Sequence, residues 1–211
     1  MASLAAAFGH VVVDVGAGDG GYVFHRARTE PETFAIAIDA SPDALVSGAW
    51  RAKRAGLTNL AFLVEGVERL PQELAGVANE VTIHFPWGSL LRGLSAADPT
   101  VLSPVAMLVK PGGTLRVLLS ATERDGYADV SPGWLIRLTA DYAAFGLDLD
   151  QARPADPSDV AKSRSAWSKR LGPARPVVFA RYSRRSSRRG LISGGTSPAR
   201  HGIQSTLNRP S

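Results

Sequence analysis

A β-branched run over residues 11–15 ends in Gly16-Ala17-Gly18-Asp19-Gly20-Gly21, and the next apolar run, 34–38, ends in Asp39. Glycines at this spacing let a chain leave a strand, turn tightly and enter a helix while its backbone stays open to a ligand. This commits the N-terminal part to a strand–turn–helix–strand unit and the fold to the α/β class. Further apolar strands are expected at 60–64, 81–85, 114–120, 147–152 and 177–182, with helices at 21–28, 41–55, 100–109 and 132–145 and a crossing segment at 70–78. Ser41-Pro42 offers a cap and a first helical residue, and Lys110-Pro111-Gly112-Gly113 a turn into the fifth strand. Short strands alternating with helical spacers predict a Rossmann-like domain over 1–183, a seven-stranded, mostly parallel sheet with helices on both faces. Residues 156–171 read as helix or loop, and 184–211, rich in Arg, Ser, Gly and Pro, as a disordered tail.

The glycine turn alone fits a dinucleotide as well as S-adenosylmethionine, and charge separates the two. Asp14 precedes the turn and Asp19 lies inside it, so a pyrophosphate would face two carboxylates, whereas a sulfonium donor carrying an ammonium group would be attracted. S-adenosylmethionine is therefore the expected cofactor, in a class I methyltransferase. Gly16 and Gly18 would let the backbone approach it, Asp14 would lie near its methionine portion, and Asp39 would accept from the ribose hydroxyls. Glu68, just after the third strand, is expected close to the adenine, and Ala40, Gly66, Val67 and His84 join the cofactor-contacting set. The bland alternative is that Gly18 only makes a turn and Asp39 only caps the helix that follows.

Two tryptophans extend the pattern. Trp87, in Phe85-Pro86-Trp87-Gly88-Ser89-Leu90-Leu91, directly follows the fourth strand, where a flat side chain is placed to stack on a planar ligand such as a nucleobase. Trp167, in Ser165-Ala166-Trp167-Ser168-Lys169-Arg170, lies in a basic stretch and is expected to close the other side. The net charge of +5 is unevenly spread: residues 1–150 carry 11 basic against 17 acidic residues, 151–183 carry 7 against 2, and 184–211 carry 6 arginines and no acid. An acidic domain with one basic end suggests an anionic partner, of which nucleic acid is the commonest. A solvated arginine tail explains the last stretch equally well.

Without cysteine the chain has no disulfide, thiolate metal site or cysteine nucleophile, and four scattered histidines argue against a metal centre. No apolar run is long enough for a membrane span and no secretory signal opens the chain, so a cytoplasmic protein with no membrane partner is expected.

The sequence resembles the Kam- and Npm-type methyltransferases, which modify N1 of adenine 1408 in the decoding site of 16S rRNA. Asp14-Val15-Gly16-Ala17-Gly18-Asp19-Gly20 is similar to their D-L-G-T-G-D-G, and Ala37-Ile38-Asp39 to G-I-D. Phe85-Pro86-Trp87-Gly88-Ser89-Leu90-Leu91 is similar to F-P-W-G-[ST]-L-L, and Ser165-Ala166-Trp167-Ser168-Lys169-Arg170-Leu171 to S-x-W-x-K-R-L. The glycine loop is generic; the paired tryptophan motifs are specific. The resemblance implies that Trp87 and Trp167 sandwich a flipped adenine, that Ser165 positions the cofactor and the second tryptophan, and that Ser89 lies near the cofactor. It further implies that Lys169, Arg170 and Arg175 hold rRNA phosphates, that the partner is the 30S ribosomal subunit, and that the modification confers aminoglycoside resistance.

The chain departs from the family pattern in three places. Relatives commonly begin with a β-hairpin, whereas only ten residues precede Val11, so the hairpin is expected to be missing or the start misassigned. Ala40 replaces a frequent proline, and Pro176 and Val177 stand where relatives carry further basic residues. A methyltransferase acting on tRNA or another RNA, and a weakly active cofactor- and ribosome-binding protein, remain as alternatives. A monomer is expected, because a large asymmetric RNA surface needs no partner subunit.

Overall fold

The computed structural model describes residues 1–122, 126–127, 130–168 and 175–186. Seven strands, β1 (His10–Val15), β2 (Thr33–Asp39), β3 (Leu60–Val64), β4 (Ala78–His84), β5 (Val109–Leu119), β6 (Leu147–Pro154) and β7 (Val178–Arg184), form one sheet in the order β3-β2-β1-β4-β5-β7-β6. Neighbours from β3 to β5 pair in parallel, and β7 runs antiparallel to both β5 and β6. The strand order reverses between β1 and β4, which opens a crevice beyond their carboxyl ends.

Burial explains why the early strands read as unbroken apolar runs: β1 and β2 are covered on both faces. Val11, Val13, Val15, Phe34, Ile36 and Ile38 enter the larger core, which is completed by helices α4 (Gly88–Ala96), α5 (Pro99–Leu108), α6 (Pro132–Arg137) and α7 (Thr139–Ala144). Val12, Ala35 and Ala37 face a smaller core with α2 (Gly21–Thr29) and α3 (Pro42–Arg54), where the two alanines let the helices lie close to the sheet. Each fully buried aliphatic side chain contributes about 1.5–3 kcal/mol. Stacked Tyr142 and Tyr182 rings, 4.7 Å apart, and a Tyr142 hydroxyl donated to Leu94 O at 2.8 Å tie α7 to the sheet and to α4.

Several local expectations need correction. The crossing segment at 70–78 holds only a 3-10 turn at Gln72–Leu74, after another at Val67–Arg69, and β4 starts at Ala78. The helix expected at 132–145 is broken at Leu138, whose N–H bonds to Leu135 O in 3-10 fashion while the Thr139 hydroxyl donates to Ile136 O. Lys110-Pro111-Gly112-Gly113 lies within β5 as a bulge: Ala78 pairs with Val109, and Glu80 already with Thr114. Helix α4, directly after Trp87, was not anticipated.

A short helix α1 (Ala2–Ala5) precedes β1, and α8 (Pro157–Lys162) fills part of the 156–171 segment. β7 continues through Arg184, so the chain stays in the sheet one residue past the expected boundary at 183, and Arg185 pairs with Asp148. The remainder of the expected tail, 187–211, lies outside the described residues.

Candidate active site

The carboxyl ends of β1 to β4 open onto two adjoining cavities. The first, about 210 Å³, is walled by Ile38 and Leu90, with Ala40, Gly66, Val67 and Glu68 on one side and Ser89 on the other. The second, about 120 Å³, runs from Asp14, Gly18 and His84 to Ser165 and Trp167. Gly16, Asp39 and Trp87 border both, so the two form one bent channel. All ten expected cofactor contacts therefore lie along it, and both tryptophans face its second arm.

The glycine turn is held from below and left open above. Gly16 N–H and Ala17 N–H both donate to Ile38 O, at 2.9 and 3.0 Å, and Gly18 N–H donates to Asp39 Oδ2 at 2.8 Å. Gly16 sits at φ +72°, and a Cβ there would come within 2.9 Å of Leu90 Cδ2, so α4 packs against bare backbone. At Gly18, φ +56°, nothing lies within 4 Å of a Cβ position, which keeps the channel clear. Asp39 Oδ1 accepts from Ser41 N–H at 2.9 Å, so this carboxylate braces the loop and the start of α3 while retaining lone pairs for a ligand.

Asp14 is only 3% exposed. The Thr82 hydroxyl donates to its Oδ1 at 2.6 Å, and His84 Nδ1 lies 3.2 Å from the same oxygen without an aligned hydrogen bond. Behind His84, the Tyr22 ring packs edge-on at 4.6 Å. Burial first, and then the Glu80 carboxylate, push the Tyr22 phenol far above its ordinary value, so it stays protonated and donates to Glu80 Oε1 at 3.1 Å. Of the two acids that separated S-adenosylmethionine from a dinucleotide in the sequence, only Asp14 has no Arg or Lys partner among the described residues. Asp19 accepts from Gly21 N–H and pairs with Arg51 at 3.2 Å, so the discrimination rests on Asp14.

Trp87 is the residue before α4, 76% exposed, and it rises from a turn in which Phe85 adopts φ +52° and Gly88 φ +60°. A non-glycine residue in the left-handed region is strained, and here the turn buries Pro86 and leaves Trp87 exposed. Trp167 is presented differently. Asp159 Oδ2 takes the Asp156 N–H at 2.8 Å to start α8, and the chain then bends at Arg164, φ +51°, into a turn where Ser165 Oγ accepts the Trp167 N–H at 3.1 Å. That turn lies over the glycine loop: a Cβ on Gly21 would come within 2.8 Å of Arg164 O. The last glycine of the G-x-G-x-x-G pattern thus makes room for the segment that carries the second tryptophan.

Arg175 borders neither cavity. Its guanidinium stacks on the Trp167 ring, 5.1 Å from the centroid, and bonds to Ser120 through Oγ at 3.0 Å and the carbonyl at 3.1 Å. Lys169 and Arg170, also expected to hold phosphates, lie outside the described residues. The sequence reading missed Glu65, Ile38 and Leu90 in the first cavity and Ser163 in the second; Ile38 and Leu90 stood in quoted motifs, and Glu65 and Ser163 carried no signal. Among the described residues no group of three or more His, Asp or Glu is arranged to hold a metal, and no helix is long and apolar enough to cross a membrane.

Comparison with known proteins agrees with this arrangement. The family model described as NpmA, 16S rRNA (adenine(1408)-N(1))-methyltransferase, matches residues 1–185. The chain is 33% identical over 180 residues to the 16S rRNA (adenine(1408)-N(1))-methyltransferase of Streptoalloteichus tenebrarius, covering 78% of this chain and 81% of that protein. It is 28% identical over 190 residues to the enzyme of that name from Escherichia coli, covering 83% and 87%. Among solved structures, a mutant of the corresponding methyltransferase from Catenulisporales acidiphilia with the cosubstrate SAM matches with a TM-score of 0.80 at 28% identity, covering 89% of this chain and 91% of that one.

Proposed function

The chain belongs to the NpmA family of 16S rRNA (adenine(1408)-N(1))-methyltransferases, and on that premise we propose that it methylates N1 of adenine 1408 in the 16S rRNA of the 30S subunit, using S-adenosylmethionine. The observation that carries this reading is that Trp87 and Trp167, 80 positions apart, border one cavity that also holds Asp14 and the glycine loop. A purine gripped there would have its edge beside the cofactor channel.

The residues present fit the cofactor. Asp14, buried and supported by Thr82, suits an ammonium group, and the buried His84 Nδ1 lacks an aligned partner beside it. Asp39 suits a pair of ribose hydroxyls, Ile38, Val67 and Leu90 give apolar walls for a purine, and Glu68 and Ser89 offer polar groups at its rim. When bound, S-adenosylmethionine supplies a methyl group on sulfonium sulfur, which leaves sulfur as its bond to N1 forms and passes the positive charge to the purine.

The protein's part is mainly positioning. Adenine N1 carries an in-plane lone pair and no proton, so no general base is required. Two indoles holding the faces of the base leave its edge free to point at the methyl donor. Extracting a base from its stack costs a few kcal/mol, and stacking on an aromatic returns about 1–3 kcal/mol per base, so two rings offset the flip. Ser165 fixes the turn beneath Trp167, and Lys169 and Arg170 meet rRNA phosphates. The enzyme acts as a monomer on the decoding site, and the modification protects that site from aminoglycosides such as kanamycin and apramycin.

The test is incubation of purified 30S subunits with labelled cofactor, followed by primer extension across the decoding site. A new stop at adenine 1408 with label in 16S rRNA supports the reading. Label in tRNA, at another rRNA base, or nowhere overturns it.

A further inference from the structure

We propose that Arg175 is a positioning residue: it clamps Trp167 from behind and ties the ring to the end of β5, rather than binding an rRNA phosphate. The inference rests on the reading that the second cavity receives an adenine.

The turn that carries Trp167 has little rigidity of its own. Between α8 and residue 168 it is held by short side-chain bonds: Ser165 N–H to Ser163 Oγ at 3.3 Å, Trp167 N–H to Ser165 Oγ at 3.1 Å, and the Ser168 hydroxyl to Ser165 O at 2.7 Å. These bonds hold the backbone and none of them reaches the indole, which is 38% exposed. Arg175 supplies what they lack. Ser120, 5% exposed and directly after β5, receives both Nε and a terminal nitrogen of the guanidinium, which fixes the plane of the fork. The Ser120 hydroxyl in turn donates to Pro176 O at 2.9 Å, which secures the chain next to the arginine.

With its plane fixed, the guanidinium lies over one face of Trp167, 5.1 Å from the ring centroid. Trp167 borders the cavity and Arg175 does not, so with one face of the ring taken by the cation we assign the other face to the base. The sheet thereby sets the tilt of an aromatic plate that sits on a loop, a support that a functional side chain outside regular structure needs. Two of the guanidinium nitrogens are committed to Ser120, so this edge of the fork is held by the protein rather than presented to a phosphate.

The test compares Arg175→Lys, Arg175→Ala and Trp167→Phe, alone and combined, on 30S subunits, with cofactor affinity measured to confirm folding. Lysine keeps the charge for a phosphate but loses the planar fork, so Arg175→Lys is expected to lower the single-turnover rate about tenfold, with 30S affinity and its salt dependence unchanged. In the Trp167→Phe background the arginine variants are expected to add little, because the clamped ring is already altered. In the free enzyme, the emission assigned to Trp167 by difference from Trp167→Phe should shift in Arg175→Lys. A full rate in Arg175→Lys, additive losses in the double variants, or a salt slope reduced by about one in Arg175→Ala would overturn the clamp and assign a phosphate contact. Failure of the broader reading is distinguishable, because the wild-type protein would then leave adenine 1408 unmodified while the emission shift remained measurable.

Discussion

Replacing Gly21 with alanine should separate catalysis from stability. Gly21 is the first residue of α2, and an added Cβ would stand 2.8 Å from Arg164 O and 3.2 Å from Asp19 Oδ1. Ordinary contact begins at 3.4 Å, so the Arg164 carbonyl must retreat by 3.4 − 2.8, about 0.6 Å. Arg164 already sits at φ +51°, which leaves its backbone little freedom to absorb the push, and the displacement passes to Ser165 and Trp167. Alanine is otherwise favourable there: it exceeds glycine by up to about 1 kcal/mol in a helix, and less in a first turn. The helix gain offsets only part of the cost of moving a backbone carbonyl, so the melting temperature should fall modestly, and cofactor affinity should stay within about twofold. Because a misplacement of about 1 Å can cost about a hundredfold in rate, a shift of this size should lower single-turnover methylation of 30S subunits about tenfold. Thermal melts, calorimetric titration of the cofactor and the methylation assay form one experiment. A variant that methylates at the wild-type rate, or one whose rate falls only in step with its melting temperature, would refute the coupling between the glycine loop and Trp167.

Asp14→Asn removes a charge-assisted contact to the donor's ammonium group, worth about 1.5–3 kcal/mol, so the dissociation constant for S-adenosylmethionine should rise about ten- to a hundredfold by calorimetry; unchanged affinity would remove Asp14 from the site. Trp87→Ala truncates a side chain that is 76% exposed, so stability should change by no more than about 0.5 kcal/mol while methylation collapses; retained turnover would exclude Trp87 from substrate contact. The Arg153 guanidinium holds Asp159 below its ordinary 3.8, and a depressed carboxylate contributes stability that is present above its unfolded value and lost as pH falls through the folded one. The contribution of Asp159 should therefore fade below about pH 4, and because its partner Arg153 is partly exposed to screening by solvent the effect is small. In urea unfolding, Asp159→Asn should narrow the stability difference between neutral and acid pH, and an identical difference in both proteins would contradict the assignment.

What the sequence disclosed follows from how local each signal was. β1 and β2 were legible because both faces are buried, so Val12 and Ala35 are as apolar as Val13 and Ile36. The Asp39 contact with the glycine loop was legible because one strand–turn–helix–strand unit contains both. Helix α4 escaped notice because it begins at Gly88, only four positions after the last residue of β4, with no capping side chain. The break at Leu138 carries no proline or glycine to announce it. Lys110-Pro111-Gly112-Gly113 has the chemistry of a turn, and only the pairing of Val109 with Ala78 makes it a bulge. The tryptophan motifs showed which rings matter but not what supports them. The Arg51–Asp19 pair spans 32 positions and the Arg175–Ser120 contact 55, and no local pattern reveals such partners.

Two indoles closing over one base are central to the proposed reaction. A structure of the protein bound to the 30S subunit, with a cofactor analogue that lacks a transferable methyl group, would test it most directly. The expected result is adenine 1408 swung out of its helix and layered between Trp87 and Trp167, with N1 directed at the donor position. An adenine still stacked in the rRNA, or one touching a single tryptophan with the other turned away, would contradict it.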